Sequence, residues 1–200
     1  MSEQRPVRMT SKKLSISKRI MDVLISILLL PIAIALSLVF GCLFYLMNRE
    51  NPLFVQVRVG RLGQEFKLVK LRTMSSSTKD KPTHEISSSD ISTLGKIMRA
   101  IKVDELPQLY NVLRGEMSLV GPRPCLPSQT ELVSERDRLG VYDLLPGITG
   151  YAQVRGVDMS VPSVLAEMDS HYASIRSLSL DFSLLLQTVV GRGSGDKTAN

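Results

Sequence analysis

Residues 20–47 form an almost wholly apolar segment, and this segment limits the possible folds more than any other part of the chain. Only four residues interrupt it: Asp22, Ser26, Pro31 and Ser37. The segment is longer than the ~20 residues that a spanning helix needs. It is also longer than the apolar part of a signal peptide, and no small-residue cleavage pattern follows it. We therefore expect a membrane helix.

This apolar segment has basic residues on both sides. Six precede it against a single acid, Glu3: Arg5, Arg8, Lys12, Lys13, Lys18 and Arg19. Six more follow within residues 48–73, against two acids: Arg49, Arg58, Arg61, Lys67, Lys70 and Arg72. Positive charge beside a membrane helix favours the cytoplasmic side. The N-terminus, residues 1–19, is therefore expected in the cytoplasm, and a straight span would place the second basic flank outside it.

Pro31 lies near the middle of the apolar segment and offers a way around this conflict. Its ring removes one intrahelical hydrogen bond and clashes with the preceding turn, so we expect a kink. Two paths stay open: a spanning helix that tolerates the proline, and a re-entrant hairpin that enters and leaves one leaflet. The carbonyls freed around Ile27 need a partner, for which Ser26 is the nearest candidate.

Residues 48–190 read as one domain, followed by a polar tail at 191–200. Alternating residues predict strands near 53–57 and 66–71 with a turn at 60–63. Helical spacing predicts helices near 91–101, 106–113, 127–139, 161–174 and 178–190, with a polar loop at 75–92. The apolar side of 178–190 suits the membrane interface, the core or a homodimer interface. We predict an α+β fold: a mostly helical, membrane-associated domain with a short β-hairpin, anchored by a Pro-kinked helix.

The composition excludes several classes of protein. The net charge of +6 favours anionic partners. Five Phe, five Tyr and no Trp, not interleaved with the basic residues, argue against a nucleic-acid partner. Two isolated cysteines and two isolated histidines favour neither a disulfide framework nor a zinc site: Cys42, Cys125, His84 and His171.

Two adjacent acids, Asp104 and Glu105, stand just before Pro107 at the start of an amphipathic stretch. Neighbouring helical residues point about 100° apart, so the two carboxylates do not share one task symmetrically. Asp104 is either an N-cap or a carboxylate that the helix terminus keeps ionised, able to attack phosphorus or bind Mg²⁺. Arg123 follows between two prolines, which make a stiff turn. It is either a surface charge or a phosphate ligand.

Four stretches carry a family resemblance. They are Asn-Pro-Leu-Phe-Val-Gln-Val-Arg-Val-Gly at 51–60, Lys-Leu-Arg-Thr-Met at 70–74, the acid pair and following turn at 104–124, and Pro-Gly-Ile-Thr-Gly-Tyr-Ala-Gln-Val-Arg-Gly at 146–156. With them the chain resembles the bacterial sugar transferases, or monotopic phosphoglycosyl transferases, from residue 17 to about residue 190.

The resemblance implies transfer of a phosphosugar from a UDP-sugar to a polyprenol (undecaprenyl) phosphate with release of UMP, the first membrane step of bacterial glycoconjugate assembly. Asp104 would be the nucleophile and a Mg²⁺ ligand, and Glu105 a supporting acid, base or positioning group. Arg123 would hold a substrate phosphate. Three further residues would add positive field: Lys70, Arg72 and Arg99.

The resemblance also implies a re-entrant helix at the bacterial inner membrane, with the catalytic domain on the cytoplasmic face. The family breaks this helix at a Ser-Pro pair, whereas this chain has Leu30-Pro31. Together with the two basic flanks, the resemblance favours the re-entrant path. A catalytically inactive, membrane-anchored interaction protein with the same fold is the alternative function. The sugar is not specified by any residue.

Overall fold

A single long helix, α1 (Lys12–Asn48), begins the part of the chain that the structure describes. The structure is a computed structural model that describes residues 12–75 and 91–191, with side chains from residue 16 on. The predicted loop at 75–92 and the predicted tail lie almost wholly outside these residues. The helix begins at Lys12, so part of the predicted N-terminal flank is helical.

Helix α1 contains Pro31 and continues on both sides of it. The helix is therefore not divided into two separate arms, and the re-entrant path stays a prediction. Ser26 is buried, but among the described residues its hydroxyl has no hydrogen-bond partner. The expectation that Ser26 satisfies a freed carbonyl is wrong, because its hydroxyl forms no hydrogen bond on the buried face.

One side of α1 is apolar and exposed. Within the described residues, Ile16–Asn48 is the one helix long and apolar enough to cross a membrane. Leu28 is 76% exposed and Leu38 is 63% exposed, with further apolar side chains between them. A continuous apolar surface of this extent marks contact with lipid or protein.

The other side of α1 packs against the rest of the chain along most of its length. Asp22, Ser26, Ala33 and Phe44 are all buried there. Their spacing of roughly three to four residues, or multiples of it, keeps them on one face. Phe44 belongs to the same core cluster as Val103. The helix is thus one wall of the folded domain.

The predicted hairpin is present. Strands β1 (Leu53–Val59) and β2 (Glu65–Leu71) pair antiparallel, with Leu53 opposite Leu71. A short 3₁₀ turn, Arg61–Gly63, joins them. Gly63 has φ +72°, a conformation that favours glycine. The hairpin confirms the strands that the alternating residues predicted.

Two helices and a turn follow. Helix α2 (Thr93–Ala100) is capped by the Ser92 hydroxyl, which accepts a hydrogen bond from the Gly95 amide. A 3₁₀ turn, Val103–Glu105, leads to α3 (Gln108–Arg114), which Gly115 ends with φ 84°. On α3, Tyr110 is 51% exposed and Val112 is buried.

A parallel pair of short strands, β3 (Ser118–Val120) and β4 (Gly147–Thr149), was not predicted. The two strands bring Gly121 and Gly147 very close together. A Cβ on Gly147 would lie 2.1 Å from the Gly121 amide nitrogen, so no larger residue fits there. Three-residue strands of this kind leave no alternating pattern in the sequence.

Three helices complete the described chain: α4 (Thr130–Arg138), α5 (Pro162–Ile175) and α6 (Leu178–Val189). Helix α4 is rich in charged residues, but they are not all on the surface. Arg136, near its end, is only 2% exposed because it packs against α5. Helix α6 exposes Phe182 and Leu186 on one side and buries Leu184 on the other.

Candidate active site

The turn that carries the acid pair rests on α1. Val103 is buried in a cluster with Phe44, Leu71 and Met98. The preceding residue, Lys102, has a left-handed backbone with φ 58°, which reverses the chain direction after α2. Because Val103 points into this cluster, the neighbouring Asp104 is held next to α1, and it is only 7% exposed.

Asp104 does not cap a helix, so that interpretation is wrong. Helix α3 begins at Gln108, and its N-cap residue is Pro107, which has no side-chain acceptor. Asp104 lies in the separate 3₁₀ turn before it. A full turn of chain thus separates the carboxylate from the α3 terminus, and the expected stabilisation by helix-terminal amides is lost.

The electrostatic environment of Asp104 is also opposite to the expectation. Burial, with the adjacent Glu105 charge, raises the pKa of Asp104 to about 6. Lys70, Arg99 and Arg123 lower this pKa in part. At neutral pH the carboxylate is still mostly ionised, but it is less well solvated than a surface aspartate. Such a group is a competent nucleophile.

The two acids have different partners, in agreement with the prediction that they do not share one task. The Arg123 guanidinium donates to the Glu105 carboxylate, with Nη2 and Oε1 2.9 Å apart. Both side chains are largely buried. Asp104 instead interacts with its basic neighbours through longer-range electrostatic attraction. Arg123 is therefore part of the site and not simply a surface charge.

Lys70 lies on β2 and faces this site. Burial lowers its pKa to about 8. The positive charge of nearby Arg58 also lowers this pKa, whereas the negative charge of Asp104 raises it. Its ammonium also lies 5.2 Å from the centre of the Phe54 ring, directly across the hairpin. The ring faces the cation as in a cation–π contact. Lys70 is thus a partly buried cation close to the candidate nucleophile.

Arg99 also faces the site, from the end of α2. Its Nε donates to the Thr73 hydroxyl at 3.0 Å, which fixes the guanidinium across from β2. Lys102 is a basic neighbour that the sequence analysis missed. Burial lowers its pKa, whereas Glu105 and Asp104 raise it. No motif distinguishes Lys102 from other surface lysines, because its role follows from the left-handed turn.

Arg72 is held differently from the other predicted basic residues. Its Nε donates to the Asn51 carbonyl at 2.9 Å, and its guanidinium lies 5.5 Å from the Phe54 ring. The strongest charges acting on Asp104 are those of Glu105 and three cations: Lys70, Arg99 and Arg123. Arg72 stands beside Lys70 rather than among these three.

Arg58 is a second basic residue that the sequence analysis did not single out. It is 7% exposed, and its Nη1 donates to the Pro124 carbonyl at 3.0 Å. Arg58 therefore joins β1 to the turn that carries Arg123. It lies within the 51–60 motif, which is the one signal in the sequence that could have identified it.

Within residues 12–75 and 91–191, four cations act on the two acids, namely Lys70, Arg99, Lys102 and Arg123, and Arg58 lies beside Lys70. Among the described residues, no group of three or more His, Cys, Asp or Glu side chains could hold a metal. The excess positive charge disfavours a bare divalent cation and favours an anion such as a diphosphate. The two carboxylates suit Mg²⁺ only when substrate phosphates complete the ligand set, as is usual for this ion.

A groove of about 1040 Å³ lies apart from this site. Its walls include Lys18 and Arg19 from α1, Lys67 from β2 and Arg114 from α3. The acid pair does not line it. The groove mixes both signs of charge and holds no two carboxylates adjacent in sequence, so we place the chemistry at the acid pair.

Comparisons with known proteins identify the family of the chain. Residues 13–193 match the family model described as bacterial sugar transferase. A UDP-glucose:undecaprenyl-phosphate glucose-1-phosphate transferase of Caulobacter vibrioides is 37% identical over 183 residues, which cover 86% of this chain and 68% of that protein.

Two further relatives differ in length. A UDP-N-acetylgalactosamine-undecaprenyl-phosphate N-acetylgalactosaminephosphotransferase of Aeromonas hydrophila is 32% identical over 86% of this chain, but the match covers only 42% of that protein. An uncharacterized sugar transferase of Bacillus subtilis, EpsL, is 35% identical over 87% of this chain and 86% of its own length.

Proposed function

The chain belongs to the bacterial sugar transferase family, and on that premise we propose that it transfers a sugar phosphate from a UDP-sugar to a polyprenol phosphate and releases UMP. The names of two relatives support the reaction class, since both act on undecaprenyl phosphate. They carry different sugars, glucose and N-acetylgalactosamine, so the sugar used by this chain stays open.

The observation that carries the proposal is the position of Asp104. Its turn packs on α1 through Val103, and basic side chains surround its carboxylate. A water-soluble anionic donor and a lipid-anchored phosphate acceptor can meet only at a membrane surface. A buried carboxylate at the membrane helix, inside a cationic site, has the location and the charge environment that such a reaction needs.

In the proposed first step, an Asp104 carboxylate oxygen attacks the β-phosphorus of the UDP-sugar. The bond from this phosphorus to the bridging oxygen breaks, and UMP leaves with that oxygen. An aspartyl phosphosugar remains on the enzyme. In the second step, a phosphate oxygen of the polyprenol phosphate attacks the same phosphorus, the bond to Asp104 breaks, and the free carboxylate is restored.

The basic residues stabilise the negative charge of both steps. Lys70 and Arg99 already act on Asp104 through space, so they are suited to the transferred phosphate. Arg123 leaves Glu105 in part to bind a substrate phosphate, and Glu105 keeps the guanidinium oriented until then. Arg72 contributes less, because it is bound to the Asn51 carbonyl.

Mg²⁺ is proposed as the cofactor, with Asp104 as its protein ligand. Bound with the diphosphate, it would neutralise charge on the leaving UMP. Lys70, Arg99 and Arg123 repel a free cation from this site. The enzyme is therefore expected to bind the metal together with the nucleotide, and a chelator such as EDTA should abolish UMP release.

The packing of α1 supports a re-entrant path. Lys18 and Arg19, near one end, and Phe44, near the other, all contact the same domain. These ends are separated by about 39 Å along a straight helix, more than the hydrocarbon thickness of a bilayer. A perpendicular span would draw the charged domain into the lipid. If the helix enters and leaves the membrane on one face, the charged domain stays at that face and outside the lipid.

Helix α6 extends the proposed membrane surface. Lys18 of α1 forms an ion pair with Asp181 of α6, so the two helices are adjacent. Helix α6 exposes apolar side chains about one turn apart, including Phe182 and Leu186. Its exposed side therefore continues the apolar side of α1. The basic flanks favour the cytoplasmic face of a bacterial inner membrane.

The reaction is tested with the full chain in detergent or nanodiscs. UMP release is measured from a panel of UDP-sugars with polyprenol phosphate, and a sugar-phosphate label is trapped on the protein before acceptor is added. We expect release with one donor or a few, and label that is absent in Asp104→Asn. No release with any donor would support the inactive interaction protein instead. Label in Asp104→Asn would refute this nucleophile.

The membrane path has its own test. Single cysteines replace Arg5 and Arg49 in a Cys42→Ser background, because Cys42 is exposed. Both sites are then treated in intact cells with a thiol reagent that does not cross membranes. Equal protection of both cysteines supports the re-entrant path. Labelling of one site alone would mean that the helix spans the membrane.

A further inference from the structure

The turn that carries Arg123 is held by its carbonyl groups. Pro122 and Pro124 have no amide hydrogen, so the turn has few backbone donors of its own. Three successive carbonyls instead accept hydrogen bonds from neighbouring elements. Pro122 accepts from the Gly147 amide at 2.9 Å, Arg123 from Arg136 Nη1 at 2.8 Å, and Pro124 from Arg58 at 3.0 Å.

The bond from Arg136 is one end of a buried chain of contacts. Both Nε and Nη2 of Arg136 donate to one carboxylate oxygen of Asp169, at 3.0 and 2.7 Å. Arg136 lies on α4 and Asp169 on α5, and both side chains are almost fully buried. The guanidinium thus connects α5, through α4, to the backbone of Arg123.

Stability alone is a weak reason for this ion pair. Burying two charges carries a desolvation cost, and apolar side chains of similar volume often replace such pairs with no loss of stability. The ion pair differs from an apolar contact because its hydrogen bonds are directional. A guanidinium held along one edge, by two N–H groups that donate to the same carboxylate oxygen, presents its remaining donors at one angle, here to the Arg123 carbonyl.

We propose that Arg136 and Asp169 form a positioning pair that sets where the Arg123 guanidinium stands beside Glu105 and Asp104. The inference rests on the proposed function, in which Arg123 binds a substrate phosphate. Neither member of the pair contacts substrate. They act through the Arg123 backbone, because a shift of that carbonyl moves the side chain that follows from the same residue.

The experiment compares three variants with the wild type. Arg136→Met/Asp169→Leu removes both charges at nearly constant volume, and Arg136→Lys keeps the charge with fewer donors. Arg138→Met is the matched control, because Arg138 lies on the same helix, is 60% exposed and pairs with Glu135 at the surface. We expect the double variant to keep its thermal midpoint and to lose about 10- to 100-fold in kcat/KM, as misplacement of a binding group does. Arg136→Lys should lose less, and Arg138→Met should be unchanged.

A double-mutant cycle separates positioning from a general structural role. In an Arg123→Gln background, the Arg136→Met/Asp169→Leu change should cost less than about threefold, because the residue through which the pair acts is gone. Equal losses in both backgrounds would overturn the inference. If the double variant does not fold, Arg136→Lys is carried through the same cycle and judged in the same way.

A second measurement does not depend on turnover. Hydrogen exchange of the Arg123 Nε–H is followed by NMR on the full chain, with its signal assigned by its loss in Arg123→Gln. Exchange should be faster in Arg136→Met/Asp169→Leu and unchanged in Arg138→Met. If the wild type releases no UMP from any donor, the proposed function fails, and this measurement still decides. An unchanged exchange rate in the double variant would refute the positioning role.

Discussion

Two pairs of buried acids in this protein are bonded in opposite ways. Asp22 and Asp181, where α1 meets α6, are each about 1% exposed, and every oxygen of both carboxylates has a partner. Asp22 accepts from the Ser118 hydroxyl and the Leu119 amide, and Asp181 from Lys18 and the Tyr172 hydroxyl, at distances of 2.6 to 3.2 Å.

The acid pair at the candidate site is not saturated in this way. Glu105 is bound to Arg123, whereas Asp104 is surrounded by cations that act on it at a distance. A buried carboxylate with all its bonds made contributes to the fold. A buried carboxylate whose oxygens are not all bonded in this way is available for a reaction. From this difference we expect the first pair to anchor α1 and propose that the second takes part in the chemistry.

The sharpest test replaces one acid in each pair. Asp104→Asn should lower kcat by about 10³-fold or more, because the amide is not a nucleophile. It should leave the thermal midpoint unchanged or raised, since burial disfavours the ionised carboxylate. Asp22→Asn should do the reverse, with a lower midpoint and a kcat per folded enzyme close to the wild type. The comparison fails if Asp22→Asn lowers kcat as much as Asp104→Asn does.

The cation of the anchoring pair is tested next. Lys18→Met leaves two carboxylates buried without their shared cation, and we expect a loss of about 3 kcal/mol in the free energy of unfolding. Denaturation in detergent measures this loss. Met fills the space of the lysine stem, so packing changes little. A stability equal to the wild type would show that Lys18 and Asp181 do not anchor α1.

The pH dependence of kcat/KM tests the electrostatics of the site pair. Asp104 must be ionised to attack, so kcat/KM should rise as pH increases through about 6, where its raised pKa lies. Lys70 must be protonated to bind phosphate, so kcat/KM should fall above about 8. A bell-shaped profile is expected. Below the acidic pKa and above the alkaline pKa, kcat/KM should change about tenfold per pH unit.

A matched variant identifies the alkaline limb of this profile. Lys70→Arg should move that limb to higher pH, because a guanidinium stays charged. The acidic limb should move little. An alkaline limb that does not move would assign it to a group other than Lys70.

The smallest expected effect separates two arginines of the site region. Arg99 acts on Asp104, whereas Arg72 is bound to the Asn51 carbonyl. Arg99→Gln should lower kcat/KM about tenfold, as loss of one charged contact to a phosphate does, and Arg72→Gln by only about twofold. Steady-state kinetics on both variants measures the difference. Equal losses would place Arg72 at the phosphate as well.

Much of this fold was predictable from local patterns. The apolar run, the alternation in β1 and β2, and the helical spacing with Gly115 at the end of α3 each depend on neighbours in sequence. The parallel strands β3 and β4 were not predictable, because residues 118–120 and 147–149 are short and far apart in the chain. Their pairing depends on the close approach of Gly121 and Gly147.

The candidate site shows the same limit. Asp104, Glu105, Lys70 and Arg123 lie in the motif stretches and Arg99 lies outside them, and the structure brings all five together. The pKa of Asp104 is raised where stabilisation of the ionised form was expected, because burial is a property of the packed fold. The burial of Arg136 was not predicted, because helical periodicity does not show which charged side chain finds a buried partner on another helix.

The amino-acid sequence by itself determined the membrane helix, the family and the identity of the acid pair, because each depends on residue types at fixed spacing along the chain. Only the tertiary structure decided what surrounds these residues. Asp104 is buried beside α1, Asp22 and Asp181 share a saturated network, and Arg136 reaches the Arg123 carbonyl. Burial and long-range partners arise when distant segments pack together, so the local spacing of residues does not predict them.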